Sequence, residues 1–455
     1  MGKQTSHFVC SSCGAQYSSW TGRCTQCGEW NTVSEEVQLA TMTGVGLGKK
    51  AGVGKPLKPQ VVSKSATTTE RRMLTGMRDI DTVLGGGIVA GSVNLIAGQP
   101  GIGKSTLLMQ LASRIAREHS VLYVSGEESE HQVGMRAQRL GVAGVERLQL
   151  ATSNITEDIA ATIADHTYDL VVVDSIQTMT VKEVASAPGS VSQITNSTAV
   201  LVAAAKSSDT AMFMVGHVTK EGSIAGPKVL EHIVDVVLQL DGDAYGGFKM
   251  FRATKNRFGP TSEVAILEMD EHGLRSVENP SQALLAERQI SDGSVVLATL
   301  EGTRPLLVEV QALVNKTSYG YPKRAASGID LNRINLLIAM LERRTKLRLS
   351  EQDIYINIVG GMRLQDPAAD LAICMAIGSA ARGLQLKANA VVFGEVGLSG
   401  EVRHVAFADK RVAEAKKLGF DVAIGPQMRS AKASKMPLLH SVPDVRTALN
   451  EFLER

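Results

Sequence analysis

The sequence predicts an α/β fold. A parallel sheet flanked by helices surrounds a phosphate-binding loop, with a small cysteine module ahead of it and a second folded unit behind it. Three observations predict this. Short apolar runs (Ser92–Ala97, Val121–Ser125, Leu170–Val173 and Ala211–Gly216) alternate with helix-like stretches and read as buried parallel strands. The first of them runs into Gly98-Gln99-Pro100-Gly101-Ile102-Gly103-Lys104-Ser105-Thr106, which fits Gly-x4-Gly-Lys-Ser/Thr. Four of the five cysteines form two Cys-x2-Cys pairs near the start of the chain.

Composition sets the frame. At roughly 150 residues per domain, 455 residues make two to four domains. A hydrophobic share of 44% and a charged share of 21% exclude a mostly disordered chain. Met1–Cys10 has no apolar core for a signal peptide. The longest apolar run, Leu371–Ala381, is shorter than the ~18 residues of a spanning helix. The expected setting is the cytoplasm, with no membrane partner. Residues 1–64 carry a net charge of +4 and the remainder −2, which suits an anionic partner for the front end.

Residues 1–33 are the cysteine module. Cys10, Cys13, Cys24 and Cys27 are spaced to place four thiolates around one tetrahedral ion, and Zn²⁺ suits that closed, soft site. So small a module has little core, so metal binding must supply much of its folding energy. Residues 34–69 read as a flexible basic linker. Five lysines and several glycines fall there, with no acidic residue from Val37 to Thr69. Cys374 lies in the apolar run and reads as inert core.

Residues 70–279 hold the nucleotide site. The glycines of the loop let successive N–H groups face phosphates, and the helix that follows adds positive potential. Lys104 is placed to reach the β- and γ-phosphates of ATP, and the Ser105 hydroxyl to bind Mg²⁺. That helix buries Leu108, Leu111 and Ile115 and leaves Arg114 and Arg117 outside the stripe. Asp174 ends a buried strand and delivers a carboxylate to the Mg²⁺ side. Glu127 and Glu128 follow Val121–Ser125, the strand after the phosphate-loop helix, and either can orient the attacking water. His217 ends another strand, where it can meet the γ-phosphate or serve structure alone.

These residues resemble a known family. Asp79-Ile80-Asp81 and Leu84-Gly85-Gly86-Gly87-Ile88, just ahead of the phosphate-loop strand, resemble the RecA-type ATPase core. Lys255-Asn256-Arg257-Phe258-Gly259 resembles the pentapeptide of the RadA (Sms) family of bacterial DNA-repair proteins. The resemblance covers nearly the whole chain. It implies a DNA-dependent ATPase of homologous recombination that acts with the RecA recombinase on single-stranded and branched DNA and promotes branch migration. It also implies a homo-oligomer, a hexameric ring. It puts the water-orienting role on Glu127. In such rings a basic residue reaches a neighbour's nucleotide, with Arg257 the first choice and Lys255 the second. The pentapeptide is expected past the last core strand, Val234–Leu240.

Residues 280–455 alternate strand-like and helix-like runs and resemble the proteolytic domain of Lon. That family uses a Ser–Lys dyad. Here Pro367-Ala368-Ala369-Asp370 puts Ala368 at the nucleophile position, and Asp409 falls at the lysine position with Lys410 one residue later. Without a hydroxyl there is no nucleophile, so the unit is expected to be proteolytically inactive. Its basic clusters, Arg343–Arg348 and Lys323-Arg324, are candidates for DNA contact. Two other readings stand beside the motor: an ATP-gated recombination scaffold that is no motor, and an ATP-dependent protease, which Ala368 argues against.

Overall fold

The computed structural model describes residues 7–10, 16–17, 19–30, 33–36, 71–217, 229–242, 247–318, 320–387, 389–428 and 438–454. The cysteine module is a three-stranded antiparallel sheet of His7–Cys10, Gln16–Tyr17 and Val33–Glu36. Its third strand crosses the expected 33/34 boundary. The rest of the expected linker lies outside the described residues.

A nine-stranded sheet carries the nucleotide-loop region. Its strands are β1 (Val93–Gly98), β2 (Val121–Ser125), β3 (Leu148–Thr152), β4 (Leu170–Asp174), β5 (Ala211–His217), β6 (Val236–Gly242), β7 (Lys249–Asn256), β8 (Val264–Asp270) and β9 (Gly273–Ser276). The spatial order is β9-β8-β7-β6-β1-β5-β4-β2-β3. Strands β6 through β3 in that order are parallel. Helices cover both faces. On one side lie α1 (Lys104–Ile115) and α2 (Glu130–Arg139), on the other α3 (Thr156–Asp165) and α4 (Val191–Ser207). The central strands are apolar throughout because both faces are covered: Leu95 packs to one side and Ile96 to the other.

The expected all-parallel sheet is therefore extended by three antiparallel strands, β7, β8 and β9. Period-two burial hides such strands from a search for apolar runs: β7 buries Lys249, Phe251 and Ala253 and leaves the residues between them less covered. This also corrects the expected place of the pentapeptide. Lys255 and Asn256 belong to β7, inside the sheet.

A second sheet, of seven strands, is mixed. It contains β10 (Ser294–Glu301), β11 (Arg304–Lys316), β12 (Arg324–Ser327), β13 (Gln352–Ile358), β14 (Ala390–Val392), β15 (Val422–Gly425) and β16 (Leu439–Ser441), in the order β12-β13-β11-β10-β14-β15-β16. Helices α5 (Leu331–Thr345), α6 (Ala369–Arg382) and α7 (Ala408–Lys417) pack with it. Helix α6 is buried without a break from Ala369 to Ser379, and Cys374 lies within it as inert core. Among the described residues no helix is long and apolar enough to cross a membrane.

One strand belongs to both cores. In β8, Ala265 and Leu267 face the core of the first sheet, while Val264 and Ile266 face the core of the second. The expected division at 279/280 thus runs through a shared core. Ile266→Ala is expected to cost about 2–5 kcal/mol and to lower the denaturation midpoint of both sheets together. A first sheet that melts unshifted in this variant would contradict the sharing.

Candidate nucleotide site and its surroundings

The phosphate loop leaves β1 at Gly98 and enters α1 through Gly103, whose φ of 114° is open to glycine but rarely to other residues. Ile102 is buried and anchors the loop, while Gln99, Pro100 and Gly101 are exposed. Ser105 and Thr106 are half-buried in the first turn of α1. Lys104 is buried, and its Nζ donates to the carbonyls of Gly98 at 2.9 Å and Gln99 at 3.0 Å. Burial lowers this ammonium to about 8, opposed by the charges of Asp174 and Glu127.

Register brings the acids to the same edge. Ser125 at the end of β2 lies opposite Asp174 at the end of β4, and His217 at the end of β5 opposite Gly98. The buried Tyr123 hydroxyl donates to Asp174 Oδ2 at 2.6 Å. Glu127 accepts from the Ser175 hydroxyl, and its Oε1 lies 3.6 Å from His217 Nε2. Glu128 turns the other way, into an ion pair with Arg136 on α2. The Ser125 hydroxyl pins the Glu128 backbone through both its N–H (3.0 Å) and its carbonyl (2.8 Å). Of the two adjacent carboxylates, Glu127 is thus the one held beside Ser175 and His217. Sequence reasoning missed Tyr123, Ser175 and Arg136, because each acts through a partner remote in sequence or carries no motif of its own.

The pentapeptide lies at the opposite edge. Lys255 and Asn256 pair with Val237 and Val236, which pair in turn with Leu95 and Asn94 near the start of β1. The run of β1 from there to the phosphate loop at Gly98 spans roughly 10–13 Å at ~3.3 Å per residue. Arg257 donates to Asp235 at 2.9 Å. Lys255 gives its Nζ to the carbonyls of Glu231 (2.6 Å) and Val234 (2.7 Å), at the end of the short helix Val229–Ile233. It therefore ties down backbone instead of standing as a second free charge. Phe258 and Gly259 pack on the Leu84–Gly87 motif. Arg72 donates to the carbonyls of both Gly85 and Phe258, and a Cβ on Gly259 would lie 2.7 Å from Gly85 Cα. The two motifs form one surface.

In the cysteine module Cys24 is buried and Cys27 exposed. Cys24 Sγ lies 3.1 Å from the Tyr17 hydroxyl and accepts the Cys27 N–H at 3.4 Å. These bonds, the Tyr17 one foremost, lower the thiol to about 5. A sulfur held as thiolate by such donors fits a metal ligand, and four cysteines fit Zn²⁺. Cys10 ends the first strand, whereas its side chain and the whole of Cys13 lie outside the described residues.

At the position of the Lon nucleophile, Ala368 is fully buried just before α6. Asp409 lies in the first turn of α7. Lys410 donates to the Thr303 carbonyl at 3.2 Å and covers the Phe407 ring. The buried Arg411 beside it pairs with Asp366 at 2.7 Å and donates to the Ala298 carbonyl at 2.6 Å. The cationic side chains here are engaged with acceptors, and no hydroxyl stands where a nucleophile is needed.

Three families match parts of the chain: AAA domain over residues 60–223, rubredoxin metal binding domain over 8–35, and subunit ChlI of Mg-chelatase over 332–429. Curated relatives match nearly all of it. Proteins called DNA repair protein RadA are 47% identical in Halalkalibacterium halodurans (94% of this chain, 93% of that one) and 44% in Pseudomonas aeruginosa (100% of both). The one in Escherichia coli is 43% identical, covering 98% of each chain. A solved RadB recombinase is 23% identical, spans 45% of this chain and 100% of its own, and superposes with a TM-score of 0.37.

The buried Lys104 makes nucleotide binding a proton-linked event. Anionic phosphates favour the charged form, so binding above pH 8 should take up as much as one proton per site. Affinity should fall as pH rises from about 8 toward 10. Calorimetry at pH 8.5 in buffers of different ionisation heat measures the uptake, and a value of zero would contradict the placement of the ammonium.

Proposed function

The chain belongs to the RadA family of DNA repair proteins, and on that premise we propose that it is a DNA-dependent ATPase of homologous recombination. It processes recombination intermediates and promotes branch migration together with RecA, as a hexameric ring moving on single-stranded and branched DNA in the cytoplasm. The observation that carries this reading is the separation of Arg257 from its own phosphate loop by the length of a central strand. A cation so placed is useless to its own nucleotide. It becomes useful when a second copy brings its phosphate loop to that edge, as in a ring.

In this reading the loop Gly98–Thr106 wraps the phosphates of ATP, and Lys104 leaves its two carbonyls for the β- and γ-oxygens. Ser105 and Asp174 would hold Mg²⁺, which would neutralise charge on the phosphates. Tyr123 holds one oxygen of Asp174. Glu127 orients the attacking water and takes its proton as the water oxygen bonds to the γ-phosphorus and the bond to the β,γ-bridging oxygen breaks, releasing ADP and phosphate. His217, beside Glu127 and with its buried Nδ1 unpartnered among the described residues, is placed to meet the γ-phosphate. Arg257 of a neighbouring copy stabilises the charge that develops there, an effect of about 10³–10⁵ in rate. Cys10, Cys13, Cys24 and Cys27 bind one Zn²⁺. The C-terminal unit carries no peptidase chemistry and supports the ring and its DNA path.

Glu127→Gln should bind ATP normally and hydrolyse it at least a hundredfold more slowly, while Glu128→Gln keeps most of the turnover. The reverse outcome in a steady-state ATPase assay would shift the role to Glu128.

Turnover should rise when single-stranded or forked DNA is added, and Arg257→Ala should abolish that rise while leaving ATP affinity intact. Mixing Arg257→Ala with Lys104→Ala should restore some activity, since some interfaces then contain both good halves. Mixed rings that stay inactive would place Arg257 within its own subunit's chemistry or on DNA.

A further inference from the structure

Asp235 is 2% exposed, a carboxylate nearly without water. It precedes β6 at the edge of the sheet remote from the phosphate loop, and its Oδ2 accepts the Val93 N–H at 3.1 Å. Two cations reach it. Lys206, in the last turn of α4, lies 3.0 Å from Oδ2 and 3.3 Å from Oδ1, so it spans both oxygens. Arg257 reaches Oδ1 alone, through Nη1 at 2.9 Å, and its side chain is 54% exposed.

The two partners are unequal in a way that matters. A buried carboxylate cannot be left without a counter-ion. Were Arg257 its sole cation, moving the guanidinium to a phosphate would strand that charge. With Lys206 in place the cluster carries one cation more than it has anions. Arg257 can then leave while Asp235 and Lys206 remain a neutral pair. Lys255, the other cation of the pentapeptide, gives its Nζ to the Glu231 and Val234 carbonyls and makes no hydrogen bond to Asp235 among the described contacts.

We propose that Asp235 and Lys206 are positioning residues that form a cradle for Arg257. Asp235 aims the guanidinium outward at the subunit edge, and Lys206 is the standing counter-ion that lets it transfer to the nucleotide of a neighbouring copy. This rests on the trans-acting role of Arg257 argued above.

The test is Lys206→Met in the full-length protein. ATP affinity and the KM for ATP should stay within twofold of the parent, because the phosphate loop of the same chain is a strand's length away. The kcat with single-stranded DNA should fall at least tenfold, since Arg257 is then held by an otherwise unpaired carboxylate. Mixed with Lys104→Ala, the variant should regain activity as Arg257→Ala does. Adding Asp235→Asn to Lys206→Met should restore at least half the turnover, because no buried charge then retains Arg257. Lys206→Arg keeps the cation and should keep turnover within twofold, which separates loss of the charge from loss of packing. Full turnover in Lys206→Met overturns the cradle. So does a double variant as slow as Lys206→Met with an unchanged melting temperature. Full turnover in Arg257→Ala overturns the reading of Arg257 and the cradle with it, whereas loss in Arg257→Ala with none in Lys206→Met overturns the cradle alone.

Discussion

The backbone ladder joining β6, β1, β5, β4 and β2 is the constraint on which the rest depends. Parallel strands all point the same way, so one register aligns Gly98, His217, Asp174 and Ser125 along one edge. The same register, read at the other end, sets Asp235 beside Val93 and leaves Arg257 facing away from its own loop. These strands are buried on both faces, and a slip of one residue would exchange every side chain between them. The chemistry at one edge and the cation at the other are therefore not independently adjustable.

Much of this was legible because the signals are local. Val121–Ser125 and the run ending at Asp174 appear as strands where the apolar residues stop, and Ala369–Arg382 is the helix its pattern describes. The phosphate loop and the cysteine pairs carry their chemistry in consecutive residues. The choice between Glu127 and Glu128 was not local. It depends on Arg136 and on Ser175, eight and forty-eight residues from the carboxylates they engage. Nor could sequence show that Lys255 serves the end of a helix, since a lysine beside an arginine looks the same whether it faces phosphate or a carbonyl. The strands β7 to β9 escaped notice because alternation over so few residues is a weak signal beside a run of valines.

Two charged pairs sit beside helix α6 and helix α7 in the C-terminal unit. Arg411 and Asp366 form a buried pair whose remaining hydrogen-bonding capacity is largely met by backbone: Asp366 also accepts from the Leu300 and Ala368 N–H groups. At the start of α6 the buried Asp370 pairs with the partly exposed Arg333 and accepts the Val396 N–H. Removing Arg333, or either member of the Arg411–Asp366 pair, would leave a buried charge uncompensated.

The hairpin of β8 and β9 is a mechanical link in series. At its outer end Met269 and Leu274 crowd Gly103, and Gln110 of α1 is bonded to the backbone of His272 and Leu274. Along its length the same hairpin lends Val264 and Ile266 to the other sheet. A displacement of the helix that follows the phosphate loop would therefore meet this hairpin first, and the hairpin's Val264 and Ile266 sit in the core of the second sheet.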